Sequence, residues 1–562
     1  MNFKFGIPTI SRKEFLKGAG ATGLAFMAAS LAACGSSSKS DAGSGSAPGA
    51  TSAGTGVNIA VAGAAIALDP IVAGDSISMC IISNVCEGLF VKDENAEIQN
   101  GLCKEYTVSD DQLTFTLTLR DGLKWSNGDD LVADDFIYAW QRNAVADNGA
   151  ADFQYQIEMA AIKNYAAVLA GKADVSELGI SAPDKKTIVI EVEHPVPFLF
   201  DILAFTPWAP VQKAFREEKG ADFALTKDDM LYCGPFTLTE YESSCNQFTI
   251  TKNPDYWDAE NVAIPSVTFK VITDTQQAVM SYEQGDVDYV ELTGDLVFQY
   301  ENDSAFTDTP GIFNYYLMIN TKKKGLDNQN FRMALAYALN RDDICDSILK
   351  DGSTPVNQMC MVGLFANEAG KDFATASPQL YVYDEEKAKE AWKQAKQETD
   401  LREITIIYDE EKEFAKTTCA YIQDTVQKLL EGLTINLQST PKKNRLDLEG
   451  KRDYEVIFHA WGPDYSDPTA ILAMYRSDHP SNYSNWADDE FDSTYDTANT
   501  TDAGNADARW DELMRCNEIC TEKAVCIPIY QTGLAALTNA STHGITAHIT
   551  GIPCYYKFVT KS

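Results

Sequence analysis

Apolar residues alternate strictly with threonine through Leu113-Thr114-Phe115-Thr116-Leu117-Thr118-Leu119. That period-two pattern predicts a strand with one buried face. Runs rich in β-branched and aromatic residues predict further strands over 57–62, 186–192, 267–272, 315–320, 403–408, 433–437, 454–458 and 526–530. Helical spacing takes over in 276–284, 331–339, 384–398, 414–430 and 510–523, with Ala388, Ala391 and Trp392 inward in the third of these. Phe136 and Trp140 fall four apart on one helix face, behind Asp134 as the expected cap. Between that helix and the Thr-rich strand, Asn127-Gly128 predicts a hairpin turn. Pro195-Val196-Pro197-Phe198-Leu199 reads as a rigid turn into a helix. Strand, helix, strand over 403–437 predicts an α/β unit with a mixed sheet. No internal repeat is visible.

The N-terminus has a different pattern. Lys4, Arg12, Lys13 and Lys17 precede a small-residue apolar run over 19–33, too short for a comfortable membrane span, so 1–33 reads as a secretion signal. It ends Leu31-Ala32-Ala33-Cys34-Gly35, which resembles a bacterial lipobox and marks Cys34 for lipidation. Ser11-Arg12-Lys13-Glu14-Phe15-Leu16-Lys17 is similar to a twin-arginine motif, with Lys13 in place of the second arginine, so the export route stays open. Residues 34–56 are rich in Gly, Ser, Ala and Thr and cannot build a core; they predict a flexible tether. A lipid anchor on a slack linker suits a component that delivers something to a membrane partner at the outer face of the cell membrane.

The 562 residues suffice for roughly three to four domains' worth of core, or for one large two-lobed fold. The formal net charge of −36 argues against nucleic acid and against adhesion to anionic lipid. It allows a general attraction to basic peptides, although solubility explains it as well. Of 13 cysteines, twelve remain after Cys34. Their spacing is not that of a disulfide scaffold. Cys233 and Cys245 could bridge one hairpin, and Cys516 and Cys520 share a helix face, but buried apolar thiols explain them without pairing. His194, His459, His479, His543 and His548 lack metal-ligand spacing. There is no GxSxG, HExxH, Walker A or post-strand GxGxxG motif. Neither a metal nor a cofactor is implied, and the chain is not expected to be an enzyme. An acidic-dyad hydrolase is the enzymatic alternative, unsupported by any motif.

The candidate site is Trp461-Gly462-Pro463-Asp464-Tyr465-Ser466-Asp467-Pro468. A Trp and a carboxylate three residues apart, in a turn after a strand, offer flat apolar area and a fixed negative charge. The plainer alternative is an Asx-turn in which Asp464 caps its own backbone and Trp461 fills a core. His459, two residues before the Trp, either lines the same pocket or is a structural strand histidine.

This W-x-x-D-Y-x-D-P stretch resembles the extracytoplasmic solute-binding proteins of family 5, the oligopeptide-binding (OppA-like) receptors of peptide ABC transporters. So do Leu68-Asp69-Pro70, Glu87-Gly88-Leu89, the stretch 113–142, Cys233-Gly234-Pro235-Phe236, Asn253-Pro254-Asp255-Tyr256-Trp257 and Gly285-Asp286-Val287-Asp288. The resemblance implies an α/β, two-lobed periplasmic-binding-protein-like clamp of class II, in its three-domain variant, with mixed sheets and an interlobe ligand cleft. Its division would be lobe I over 57–103, 231–312 and 525–562, an inserted domain over 104–230, and lobe II over 313–524. It implies a monomeric receptor that captures oligopeptides mainly through their main chain and passes them to permease subunits. Asp464 would accept the peptide α-amino group. Trp461, Gly462, Tyr465, Ser76, Ser78, Phe153, Tyr316, Asp409 and His459 fall at or near family contact positions, Ser76 and Ser78 within a ligand-contacting loop. Two departures stand out. Glu449 and Phe458 occupy positions where those receptors carry arginines that meet peptide carboxylates, and Gly462 replaces a half-cystine. A same-fold receptor for a nickel chelate, haem or an oligosaccharide is the alternative reading.

Overall fold

A computed structural model describes residues 55–562, except 66, 74, 146–153, 242–244, 368, 546, 547, 549, 552 and 553; for 154 and 155 it describes the backbone alone. One eleven-stranded mixed sheet organises the chain. Its order is Thr434–Thr440, Glu403–Asp409, Val456–Trp461, Phe306–Ile319, Cys526–Thr538, Tyr289–Leu292, Val57–Val61, Ser266–Val271, Gln247–Lys252 and Phe236–Glu240, with Thr354–Pro355 attached to Cys526–Thr538. The first three strands are mutually parallel, as are Tyr289–Leu292, Val57–Val61 and Ser266–Val271. Between these parallel blocks run the two longest strands, of 14 and 13 residues, antiparallel to each other.

Those two strands cross from one hydrophobic core to another. At one end Val290, Leu292, Ala535 and Leu537 bury one sheet face under helices Thr275–Glu283 and Asp295–Tyr300. At the other, Tyr315, Leu317, Phe458 and Tyr530 point to one core, while Tyr316, Met318 and Ile457 point to a second on the opposite face. This alternation follows from the period of two along each strand. Midway, the register jumps: Pro310 faces Gly533, yet Asn314 faces Gln531. Gly311 to Phe313 therefore bulge out of the ladder, and the buried Gln531 side chain stitches the gap by donating to the Gly311 and Val362 carbonyls. Gly311 is obligatory there, because a Cβ would lie 2.4 Å from the Thr532 hydroxyl oxygen.

A separate antiparallel sheet carries the Thr-alternating strand, Thr114–Leu119, in the order Cys103–Val108, Thr114–Leu119, Thr187–Glu191, Ile180–Asp184. Its core is continuous with that of Val57, Ile59 and Phe269, so the segment packs as one body with the first lobe. Two of the sequence landmarks meet at one buried carboxylate. Glu87 accepts from the Tyr256 hydroxyl at 2.8 Å, from the Trp257 indole N–H at 2.7 Å and from the Tyr555 hydroxyl at 3.3 Å. Burial pushes the Glu87 carboxyl up, against the opposing pull of Lys557 and these donors.

Three local expectations need correction. Asp134 lies inside the helix Ala133–Ala144 and does not cap it; Asp135 reaches back instead, accepting from the Val132 backbone N–H and the Trp125 indole, both at 3.0 Å. The strand predicted to end at Phe458 continues to Trp461, because its partner Asn314–Ile319 extends the ladder that far. Ser76 and Ser78 occupy the first turn of the helix Ser76–Val85, whose cap is Asp75, and not a loop. All twelve described cysteines are free thiols, and ten of them are buried.

Candidate functional site

The strand Val456–Trp461 delivers the motif to the boundary between the lobes. Trp461 is half-buried; its indole N–H donates to the Ala470 carbonyl at 2.9 Å, which ties the ring to the following helix. The chain then turns through Gly462, where an added Cβ would meet the Phe313 ring at 3.1 Å. Phe313 belongs to the central bulge, so the turn and the crossing strands touch here.

The two aspartates of the motif sit in opposite electrostatic situations. Asp467 takes a bidentate pair of bonds from Arg509 at 2.7 and 2.8 Å, both residues buried. It also accepts from the Thr469 backbone N–H at 3.0 Å. Asp467, not Asp464, therefore forms the local Asx-type turn. Asp464 has no cation beside it among the described residues. Among the described residues its side chain accepts only from the Gln156 side-chain amide, at a long 3.4 Å. Gln156 is itself aimed by the Trp208 indole, which donates to its carbonyl oxygen at 3.2 Å. Burial alone pushes the Asp464 carboxyl up to about 7. Some of its surface still meets solvent. A cation placed beside it would favour its ionised form.

Opposite the motif lies the other lobe. Phe198 stacks on Tyr465 with ring centres 4.7 Å apart and planes 11° from parallel, and the Arg509 guanidinium lies 5.5 Å from the Phe198 ring centre. The Ser466 N–H donates to Asp201, which is also paired with the buried Lys92 at 2.7 Å. The Ser466 and Thr550 hydroxyls are 2.8 Å apart. The lobes thus meet around Asp464, with its carboxylate left unmatched.

Other expected site residues are placed less directly. Tyr316 is buried and lines a small cavity beneath Trp461 with Asn314, Met359, Met474 and Tyr475. Its accessible volume of about 10 Å³ is roughly one water. His459 is buried, its Nε2 3.0 Å from Glu449 and its ring tilted against Tyr316. Asp409 is buried and holds the Arg445 Nε at 2.6 Å, while Arg445 also donates to Glu449 at 2.6 Å. Asp409, Arg445, Glu449 and His459 therefore form one internal network. Glu449, at a position where the resemblance implies a cargo-binding arginine, is consumed within the fold. Ser76 is exposed at its helix start; Ser78 is buried and accepts from the Ala67 N–H at 3.2 Å. Phe153 and Cys34 lie outside the described residues. Gln156, Phe198 and Asp201 were not identified from sequence, since nothing local distinguishes them. No group of three or more potential metal ligands occurs among the described residues.

Residues 97–483 match the family described as bacterial extracellular solute-binding proteins, family 5. The chain belongs to that family. It is accordingly a solute-binding protein and not an enzyme. The chain is 29% identical over 501 residues to a dipeptide-binding protein of Lactococcus lactis, covering 86% of this chain and 90% of that one. It is 28% identical over 446 residues to the oligopeptide-binding protein OppA of Bacillus subtilis, covering 77% and 80%. The solved structure of Listeria monocytogenes OppA bound to peptide superposes with a TM-score of 0.77 at 28% identity, covering 91% of this family-5 chain and all of that one. The expected two-lobed α/β clamp is the fold observed.

Proposed function

We propose that this family-5 protein is the peptide-capturing receptor of an ABC importer, with Asp464 as the acceptor for the peptide α-amino group. The observation that carries the reading is the contrast within one motif: Asp467 is neutralised by Arg509, whereas Asp464 stands uncompensated where the lobes meet. Relatives named for dipeptide and oligopeptide binding support it. Trp461 and Gly462 form the wall beside the anchor, with Tyr465, Tyr316, Asp409 and His459 holding that wall in shape; Ser76 and Ser78 keep the place in the first lobe that the family resemblance gives them. One ammonium–carboxylate contact provides about 1–4 kcal/mol at effective dielectrics between water and a protein surface. A micromolar complex needs about 8 kcal/mol. Main-chain pairing and enclosure supply the remainder, which leaves side-chain identity loosely constrained.

The moving bodies are 57–103 with 231–312, 525–562 and the inserted 104–230, closing against 313–524. Lipidation of Cys34 and the tether to residue 56 hold the receptor at the outer face of the membrane, where it hands cargo to permease subunits.

Isothermal titration of purified protein with tetraalanine and with N-acetyl-tetraalanine tests the anchor. The free amine is expected to bind and the acetylated peptide to lose at least tenfold, as a nickel chelate, haem or oligosaccharide receptor would not show. Equal binding of the two peptides would overturn the assignment. Native mass spectrometry of the protein as purified reads any retained cargo directly.

A further inference from the structure

Two thiols face each other across the neck through which the segment 104–230 leaves and rejoins the rest of the chain. Cys86 closes the helix Ser76–Val85, its N–H donating to the Ile82 carbonyl at 2.7 Å. Cys233 lies just beyond the far end of that segment, in the landmark Cys233-Gly234-Pro235-Phe236. The two stretches are pressed backbone to backbone. The N–H groups of Cys233 and Gly234 both donate to the Val85 carbonyl, at 3.0 and 2.9 Å. A Cβ on Gly234 would lie 2.8 Å from the Asn84 carbonyl oxygen and 3.0 Å from the Cys86 nitrogen, so glycine is what lets the chains come this close.

The side chains cross the same seam in opposite directions. The Cys86 thiol donates to the Leu231 carbonyl at 3.4 Å, and the Cys233 thiol donates to the Glu87 carbonyl at 3.8 Å. Burial pushes the Cys233 thiol up, and its hydrogen bond with the Cys86 thiol pushes it further. Measured through the 3.0 Å bond from Cys233 to Val85, the two Cα atoms are no more than about 7 Å apart; disulfide-linked cysteines span roughly 4.4–6.8 Å. Cys233 and Cys245, which sequence spacing allowed to bridge one hairpin, are kept apart by register. Phe236 faces Lys252 and Leu238 faces Ile250 in that hairpin, which puts the two thiols at opposite ends of the ladder.

We infer that Cys86 and Cys233 join in a disulfide when the chain folds outside the cytoplasm, stapling the neck of the segment 104–230. The family is described as extracellular, and disulfides form and persist in oxidising surroundings of that kind. Both thiols are buried in the finished fold, so the bond forms during folding and is shielded from solvent afterwards. The oxidant is a disulfide, of an oxidoreductase or of a small thiol. One cysteine loses its proton, attacks that disulfide and expels one thiol, leaving a mixed disulfide on the chain. The second cysteine, deprotonated in turn, attacks the chain's own sulfur in that bond and expels the other thiol. The two electrons and two protons lost by the chain are thus held by the reduced oxidant. The closed loop contains all of 104–230, and a loop of that length restricts the unfolded chain far more than the folded one. The staple is independent of what the cleft binds.

The test is disulfide mapping of the full chain, secreted into the oxidising periplasm of a bacterial host and purified without reductant. The protein is unfolded in iodoacetamide, digested without reduction and read by mass spectrometry. A peptide pair linking Cys86 to Cys233 is expected in most chains and should disappear on reduction; in Cys86→Ser the Cys233 thiol should carry the alkyl group whether or not that variant folds. The urea midpoint of the wild type should fall when the titration is equilibrated with reductant, and that of Cys86→Ser should not. Alkylation of both Cys86 and Cys233 in the wild type, or linkage of either to another cysteine, overturns the disulfide. A linked protein whose midpoint does not respond to reductant overturns the staple.

Discussion

With Asp464 as the proposed anchor, its carboxyl at about 7 would make capture pH-dependent in a way that can be worked out beforehand. Docking an ammonium requires the ionised acid. At pH 5, two units below that value, about one carboxyl in a hundred is ionised, and ionising the rest costs about 2.7 kcal/mol. Affinity for tetraalanine should therefore rise about tenfold per pH unit from 5 towards 7 and then level off. It should decline again above about 8, where the guest's own amino group loses its proton. Titrations at pH 6 in two buffers of different ionisation enthalpy should report close to one proton released per peptide bound. Asp464→Asn preserves the shape and the Gln156 contact but has nothing to ionise. It should abolish the slope below pH 7 and weaken binding at pH 7 by about 2–5 kcal/mol. The unliganded protein gives an independent check. A folded-state value raised above the ordinary 3.8 means that the folded protein holds this proton more tightly than the unfolded chain does. Stability from this group is then greatest below pH 4 and falls as pH rises through 7, by up to about 4 kcal/mol, and the Asn variant should lack that fall. A wild-type affinity that is flat between pH 5 and 7, or a slope retained in Asp464→Asn, refutes the reasoning.

Three further expectations follow from the geometry. Glu87→Ala leaves the Tyr256, Trp257 and Tyr555 donors unmatched in the core, and chemical denaturation should show a loss of about 3–5 kcal/mol; an unchanged midpoint would remove Glu87 as the keystone of that corner. Asp467→Ala strands the buried Arg509 and should cost a similar 3–5 kcal/mol, read by thermal melting, whereas loss of binding with an unaltered melt would make Asp467 a contact residue instead. Phe198→Ala removes the ring stacked on Tyr465 across the lobe boundary. The unliganded variant should show a larger radius of gyration in small-angle scattering and weaker peptide binding, by about 1–2 kcal/mol; identical scattering curves would show that the stack does not hold the lobes together.

Much of the fold was legible because its elements are strongly periodic. Thr114–Leu119 and the helices Glu385–Glu398 and Glu413–Leu429 appear where alternation and helical spacing put them. Boundaries were less so. Trp461 reads as a turn residue beside Gly462 and Pro463, but ladder pairing with Asn314 keeps it in the strand. Asp134 is an equally good cap by type, but Asp135, at the third position of the helix, is the one that reaches back to the Val132 N–H, and the Trp125 indole holds it there. Within the motif, both aspartates look alike in sequence. What separates them is Arg509, 42 residues further on, which finds Asp467 and leaves Asp464 alone. Gln156 was invisible for the same reason: it acquires meaning only from its distant partners Trp208 and Asp464.

The bulge at Gly311 to Phe313 bears on how the clamp can move. Two hydrogen-bonded strands spanning both halves behave like a leaf spring, stiff to shear and twist and compliant only where the ladder is interrupted. That interruption, which lies against Gly462 beside the candidate site, is where the ladder would yield first were the lobes to open. If the cargo docks beside Trp461 as proposed, it presses on that same place, and the atoms that register its arrival would also bear on the angle between the lobes.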